Sequence, residues 1–157
     1  MILKLRERMA NREEGFTLVE LLVVMLIIGI LAAIAIPAFF NQRDKAKDAG
    51  AKEMAHTAQV AMETYATDNG GTYQNVTPAA LAAIENSIQT AGTSAYLSAA
   101  ASQGATFKGW TLTVTSPSTT NTFTIARDAT TGALSFTCGP VANQGTCGCP
   151  AGGNWTG

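Results

Sequence analysis

The sequence predicts an α+β fold: a long N-terminal α-helix, membrane-spanning over its first half, packed on a small antiparallel β-meander head. Three observations predict it. The charged residues are grouped rather than spread, with seven in residues 1–15, one in 16–40, nine in 41–68 and four in 69–157. A charge-free run from Leu21 to Phe40 passes without a strong stop into a segment of helix formers. Beyond residue 109, apolar side chains alternate with threonines in short runs separated by turn residues.

At 157 residues the chain has room for roughly one domain. Its apolar fraction of 46% excludes a wholly disordered acidic chain. A net charge of −1 argues against a nucleic-acid partner, which calls for a strong basic bias, and after Asn69 only Lys108 and Arg127 are positive.

Residues 1–15 are polar, carry Lys4, Arg6, Arg8 and Arg12, and hold too little apolar content to build a core. Residues 16–40 contain 20 uncharged positions in a row from Leu21. As a helix that run is about 30 Å long, the thickness of a bilayer's hydrocarbon core. The basic residues ahead of it favour a cytoplasmic N-terminus. A secretory signal peptide is the rival, with Ala33-Ile34-Ala35 as the small-x-small site. The apolar run is too long for one, begins around an acid, and continues past the site.

Residues 41–68 continue the helix. Ala51, Met54, Ala58, Ala61 and Tyr65 recur at spacings of 3 and 4 and line one face, with the charged residues largely on the others. The next strong stop is Asp68-Asn69-Gly70-Gly71. The two segments therefore form one helix of about 50 residues, which Pro37 kinks and Gly29 loosens.

Residues 69–157 form the head, with four charges and 24 Ser or Thr residues. Thr77-Pro78 is an N-cap and first-turn pair for a short helix over 78–88, with Leu81, Ile84 and Ile88 on one side. Residues 89–105 read as loop with one more turn near 95–101. Trp110/Leu112/Val114, Phe123/Ile125 and Leu134/Phe136 then mark three strands joined by short turns, an antiparallel meander whose apolar face covers the helix stripe.

The most specific segment is Glu14-Gly15-Phe16-Thr17-Leu18-Val19-Glu20, followed directly by the apolar run. It resembles the type IV prepilin family, which includes type IV pilins and the pseudopilins of type II secretion. Gly15, Phe16, Glu20 and Pro37 are the matching residues, behind a basic leader. The resemblance covers residues 12–40, and beyond residue 70 rests on layout alone. It implies the pilin fold and a structural, non-enzymatic role with no cofactor. A prepilin peptidase would cut after Gly15 on the cytoplasmic side and methylate the new amine of Phe16. Further partners implied are the membrane before assembly, a pilus assembly platform, and other copies of the chain in an extracellular filament. Pseudopilin of a type II secretion system and minor or competence pilin are the alternatives.

The residues support this reading of Glu20. An acid at the centre of a membrane helix costs about 3 kcal/mol, less near the edge, and no base lies between Phe16 and Asn41. Cleavage after Gly15 would create a positive amine. Phe16 and Glu20 are four apart, so a pair within one chain is open; the resemblance implies instead a pair with the Phe16 amine of a neighbouring subunit. It also implies local melting of the helix near Pro37.

Cys138, Cys147 and Cys149 lie outside the membrane on this topology, in a compartment that favours disulfides. Closing a C-terminal loop is common in the family. Cys138 pairs with Cys149, since Gly148-Cys149-Pro150 reads as a shaped turn, or with Cys147; a strained Cys147–Cys149 link is the third choice. A zinc site lacks a fourth ligand, because the only histidine, His56, is far off on the helix. His56 reads as a surface residue, and Trp110 and Trp155 as packing residues. Asn75-Val-Thr and Asn154-Trp-Thr match the glycosylation sequon. The residues form no phosphate loop, nucleotide fingerprint or catalytic constellation.

Overall fold

The computed structural model describes residues 15–155. The expected leader, apart from Gly15, lies outside the described residues. Helix α1 runs Leu18–Asp68, 51 residues that continue through Gly29 and Pro37. Its start is set by Thr17, whose Oγ1 accepts the Glu20 N–H at 3.2 Å. Thr17 is thus the N-cap and Glu20 the third helical residue, the spacing of a capping box. At the other end Gly70 and Gly71 take φ of 64° and 77°. The Gly71 N–H donates to the Ala66 carbonyl at 2.7 Å, and Asn69 Nδ2 donates to the Tyr65 carbonyl at 2.8 Å. These bonds satisfy carbonyls that the helix leaves open.

The chain divides between Phe39 and Phe40 into two units. In the first, the large apolar side chains from Phe16 to Ile36 are 47% to 79% exposed. In the second, α1 buries Ala51, Ala55, Ala58, Ala61, Met62 and Ala66. The stripe is therefore rotated from the expected one: Ala55 and Met62 sit at its centre, and Met54 and Tyr65 pack at its margin. Alanine at nearly every central position leaves room on the helix face, and the large side chains that fill it come from the other side.

That sheet has four strands in the order β1-β2-β3-β4, all antiparallel: β1 Tyr96–Gln103, β2 Gly109–Ser116, β3 Asn121–Arg127 and β4 Leu134–Gly139. Trp110, Leu112, Val114, Phe123 and Ile125 point into the core with no exposed surface, while threonines pair on the opposite face, as in the 3.0 Å contact of Thr113 Oγ1 with Thr124 Oγ1. The meander has one strand more than expected. Residues 96–103 form β1 where the sequence reads as loop and turn. Their Ala/Ser composition has little intrinsic strand preference; pairing with β2, from Tyr96↔Thr115 to Gln103↔Gly109, overrides it.

Helix α2, Pro78–Ile84, is capped by Thr77, whose Oγ1 accepts the Ala80 N–H. It stops before residue 88, because Glu85 turns extended and Glu85 Oε1 accepts the Ser87 N–H at 3.1 Å. Ile88 is still buried in the core. A short 3-10 turn, Val141–Asn143, follows β4. Residues 153–155 then return along β4: the Cys138 N–H donates to the Gly153 carbonyl at 2.7 Å, the Trp155 N–H to the Phe136 carbonyl at 3.2 Å, and Trp155 Nε1 to the Thr137 carbonyl at 2.8 Å.

The β3–β4 turn is organised by Asp128, whose Oδ1 accepts the Thr131 N–H at 2.6 Å, the Thr130 N–H at 2.9 Å and the Thr131 hydroxyl at 2.9 Å. The two backbone donors, Thr131 first, hold its carboxyl below the ordinary aspartate value. A depressed folded value means that the turn's carboxylate contribution is present above the unfolded aspartate range, near pH ~4, and is lost as pH falls through the folded value. NMR of the full chain in micelles should show the Thr130 and Thr131 amide resonances leaving their folded positions only below that range. Asp128→Ala should show the displaced positions already at pH 7; unchanged resonances in that variant would refute the assignment.

Candidate functional site

Two regions carry chemistry. The first is the N-terminal segment. Gly15, Phe16 and Thr17 precede α1 in non-helical conformation, and Phe16 is 79% exposed. Helix α1 begins after Phe16, so Phe16 and Glu20 are not stacked on consecutive helical turns. Glu20 is exposed in the first turn, at the positive end of the macrodipole, where a carboxylate is favoured. Gly29 and Pro37 lie further along, and an added Cβ at Gly29 would meet nothing within 4 Å. The segment thus offers one acid, one helix start and an apolar surface on every side. Thr17 is the residue that sequence reasoning passed over. Its signal was the T-x-x-E spacing before an apolar run.

The second region lies in the unit from Phe40 onward and centres on Asp48, which has no exposed surface. Sequence reasoning placed it among solvated charges. Its Oδ1 accepts the Thr119 hydroxyl; its Oδ2 accepts Asn121 Nδ2 at 2.6 Å and the Gly148 N–H at 2.9 Å. Asn121 is itself buried, and its Oδ1 accepts Asn143 Nδ2 at 2.8 Å. One carboxylate therefore joins α1 to the β2–β3 turn and to the C-terminal loop, using neutral donors; among the described residues no cation lies within ion-pair distance of it. The loop is closed by a disulfide between Cys138 and Cys149. Cys147 is free and half-buried, with φ of 52°. Burial first, then the negative charges of Asp48 and Asp44, push its thiol above the ordinary cysteine value, with Lys45 opposing.

His56 is not a simple surface residue: its ring packs edge-on against buried Trp155 at 5.4 Å and lies 5.9 Å from Phe136. Lys52 Nζ stands over the Phe123 and Trp155 rings at 5.4 and 5.7 Å. Trp110 and Trp155 are both core residues. Farther along, Glu63 accepts Tyr73 Oη at 2.7 Å and Arg127 Nη1 at 3.1 Å, tying α1 to β3. Burial, reinforced by Glu63, raises the Tyr73 phenol above its usual value. Among the described residues no three His, Cys, Asp or Glu side chains gather as a metal site.

The N-terminal segment is thus an exposed apolar helix behind a glycine and an acid, leading into an α+β head. Residues 10–36 match the family described as "Prokaryotic N-terminal methylation motif". The stretch contains Gly15, Phe16, Glu20 and Gly29, and Pro37 lies one residue beyond. Among curated proteins, the chain is similar to the type II secretion system core protein G of Pseudomonas aeruginosa, 40% identical over 59 residues, which is 38% of this chain and 42% of that protein. It is also similar to the type IV major pilin protein PilE1 of Neisseria gonorrhoeae, 35% identical over 81 residues, covering 52% of this chain and 49% of the other. A third relative is the type IV major pilin protein PilA of Myxococcus xanthus, 49% identical over 55 residues, 33% of this chain and 25% of that one. The chain spans less than half the length of each of these relatives. No solved structure matches it.

Removing the Asp48 carboxylate strands three donors, one of them on fully buried Asn121 and the other two on half-buried Thr119 and Gly148. Asp48→Ala should therefore lower the stability of the head by about 3 kcal/mol. Denaturant unfolding of the full chain in micelles, followed by tryptophan emission, measures it; a loss under about 1 kcal/mol would be too small for three stranded donors.

Proposed function

We propose that this chain is the precursor of a structural filament subunit. It is cut after Gly15 by a prepilin peptidase, N-methylated on Phe16, and polymerised through residues 16–40, with residues 69–157 displayed outside. The observation that carries this reading is the apolar surface of α1 before Phe40. A helix that is apolar all round requires lipid or other helices against every face, and this one begins with the motif of a methylated N-terminus. Before assembly the segment spans the membrane with its N-terminus in the cytoplasm. On assembly it exchanges lipid for neighbouring helices, so hydrophobicity alone gives little driving force, and packing and charge set the register. The Phe16 amine of one subunit and Glu20 of another supply that charge match. Other copies of the chain, the peptidase and a pilus assembly platform are its partners, and the role is not catalytic. The similarity to a type II secretion core protein supports a second reading, a pseudopilin that forms a short filament within the envelope.

Glu20→Ala should leave leader cleavage intact, because the cut lies five residues upstream, and abolish incorporation into filaments. Electron microscopy of a sheared surface fraction, with mass spectrometry of its subunits, measures both. The expected wild-type result is long filaments of chains starting at N-methylated Phe16. Processed subunits that stay in the membrane without surface filaments would favour the pseudopilin reading. Normal filament yield from Glu20→Ala would overturn the role given to that residue, and intact Met1 in wild-type filaments would overturn the processing.

A further inference from the structure

We propose that Asp48 is a positioning residue that selects which of two cysteines pairs with Cys138, holding the C-terminal loop in the register that joins Cys138 to Cys149 and leaves Cys147 as the free thiol. This inference does not rest on the filament reading.

Cys147 and Cys149 are two residues apart, and both compete for one partner. Pairing through Cys147 requires thiol–disulfide exchange. The Cys147 thiolate attacks Cys138 Sγ, the Cys138–Cys149 bond breaks, and Cys149 leaves as a thiolate that takes up the proton Cys147 gave away. No external oxidant is needed, so the choice between the two isomers falls to the protein.

The geometry around residue 148 makes that choice. The Gly148 N–H donates to Asp48 Oδ2 at 2.9 Å. A Cβ at Gly148 would collide with Asp48 Cβ and come within 3.0 Å of Asp48 Oδ2, so this slot against α1 admits only glycine. Placing Cys147 where Cys149 sits means sliding the loop by two residues, about 7 Å of chain. That slide brings Thr146 into the glycine slot. The loop on either side is also pinned. The Cys149 N–H donates to the Thr146 carbonyl at 3.1 Å, the Gly145 N–H to the Cys149 carbonyl at 2.8 Å, and Thr146 Oγ1 to the Asn143 carbonyl at 2.6 Å. Cys149 is buried to 2% exposure, whereas Cys147 is half-buried. Burial first, then the negative charges of Asp48 and Asp44, also push the Cys147 thiol above its ordinary value, which slows the attack itself.

The test is differential alkylation of the full chain in micelles, quenched in acid, with fragmentation mass spectrometry to place the label. The wild type should carry label on Cys147 alone. In Asp48→Ala the label should divide between Cys147 and Cys149, raising the Cys149 share by at least about tenfold. A second variant keeps Asp48 in place and so does not depend on that substitution folding. In Cys149→Ser, with oxidised glutathione supplied as the two-electron oxidant, Cys138 and Cys147 should stay unlinked to each other, and adding Asp48→Ala should let them join, with release of reduced glutathione. Label confined to Cys147 in Asp48→Ala, or a Cys138–Cys147 link in Cys149→Ser with Asp48 intact, would overturn the proposal.

Discussion

A helix satisfies its own backbone hydrogen bonds, and in this chain everything else follows from how one such helix is surfaced. Before Phe40, α1 presents apolar side chains in all directions, which is compatible with lipid or with other helices because no backbone group is left to hydrate. After Phe40 the same helix carries a narrow stripe of alanines between charged flanks. The backbone geometry is continuous, and only the side chains decide which medium each half tolerates. That is why Gly15, Phe16 and Glu20 gain meaning together. They stand at the one place where the apolar half is interrupted by charge.

The alanine stripe has a cost that the head has to offset. Alanines bury little area each, so the helix contributes room rather than bulk; the sheet supplies Trp110, Phe123, Leu112 and Ile125, and the returning C-terminal segment adds Trp155. Polar ties at either end of the interface then fix its register. Asp48 binds the β2–β3 turn and the C-terminal loop, and Glu63 binds Tyr73 and Arg127. The two ties differ in kind. Glu63 and Arg127 keep 46% and 35% of their side-chain surface in solvent, where an ion pair contributes little. Asp48 is fully enclosed and met by neutral donors, so losing any one of them is felt directly.

What could be read from the chain and what could not divide along the same physical line. The long helix, its end at Asp68, and strands β2 to β4 are written in local patterns: an uninterrupted apolar run, an Asn-Gly-Gly stop, and threonines alternating with large apolar residues. The prepilin-type motif is local too, compressed into seven residues. β1 was missed because alanine and serine state no strand preference, and only its neighbour β2 makes it one. Asp48 was missed for a stronger reason. Nothing beside it distinguishes it from Lys45, Lys47 or Glu53; its burial depends on Asn121 and Gly148, 73 and 100 residues further along. His56 is the same case, since Phe136 and Trp155 arrive from the far end of the chain.

The return of residues 153–155 along β4 has a consequence for heads held close together. A four-stranded open sheet has two edges, and an uncovered edge is a template on which another chain's strand can zip. Here the β4 edge is taken by the Gly153 carbonyl and the Trp155 N–H, and on β1 the Leu97 N–H is already spent on the Gln89 carbonyl. Residues 136–138 of β4 are therefore closed to a neighbour's strand, and on β1 the same holds at Leu97.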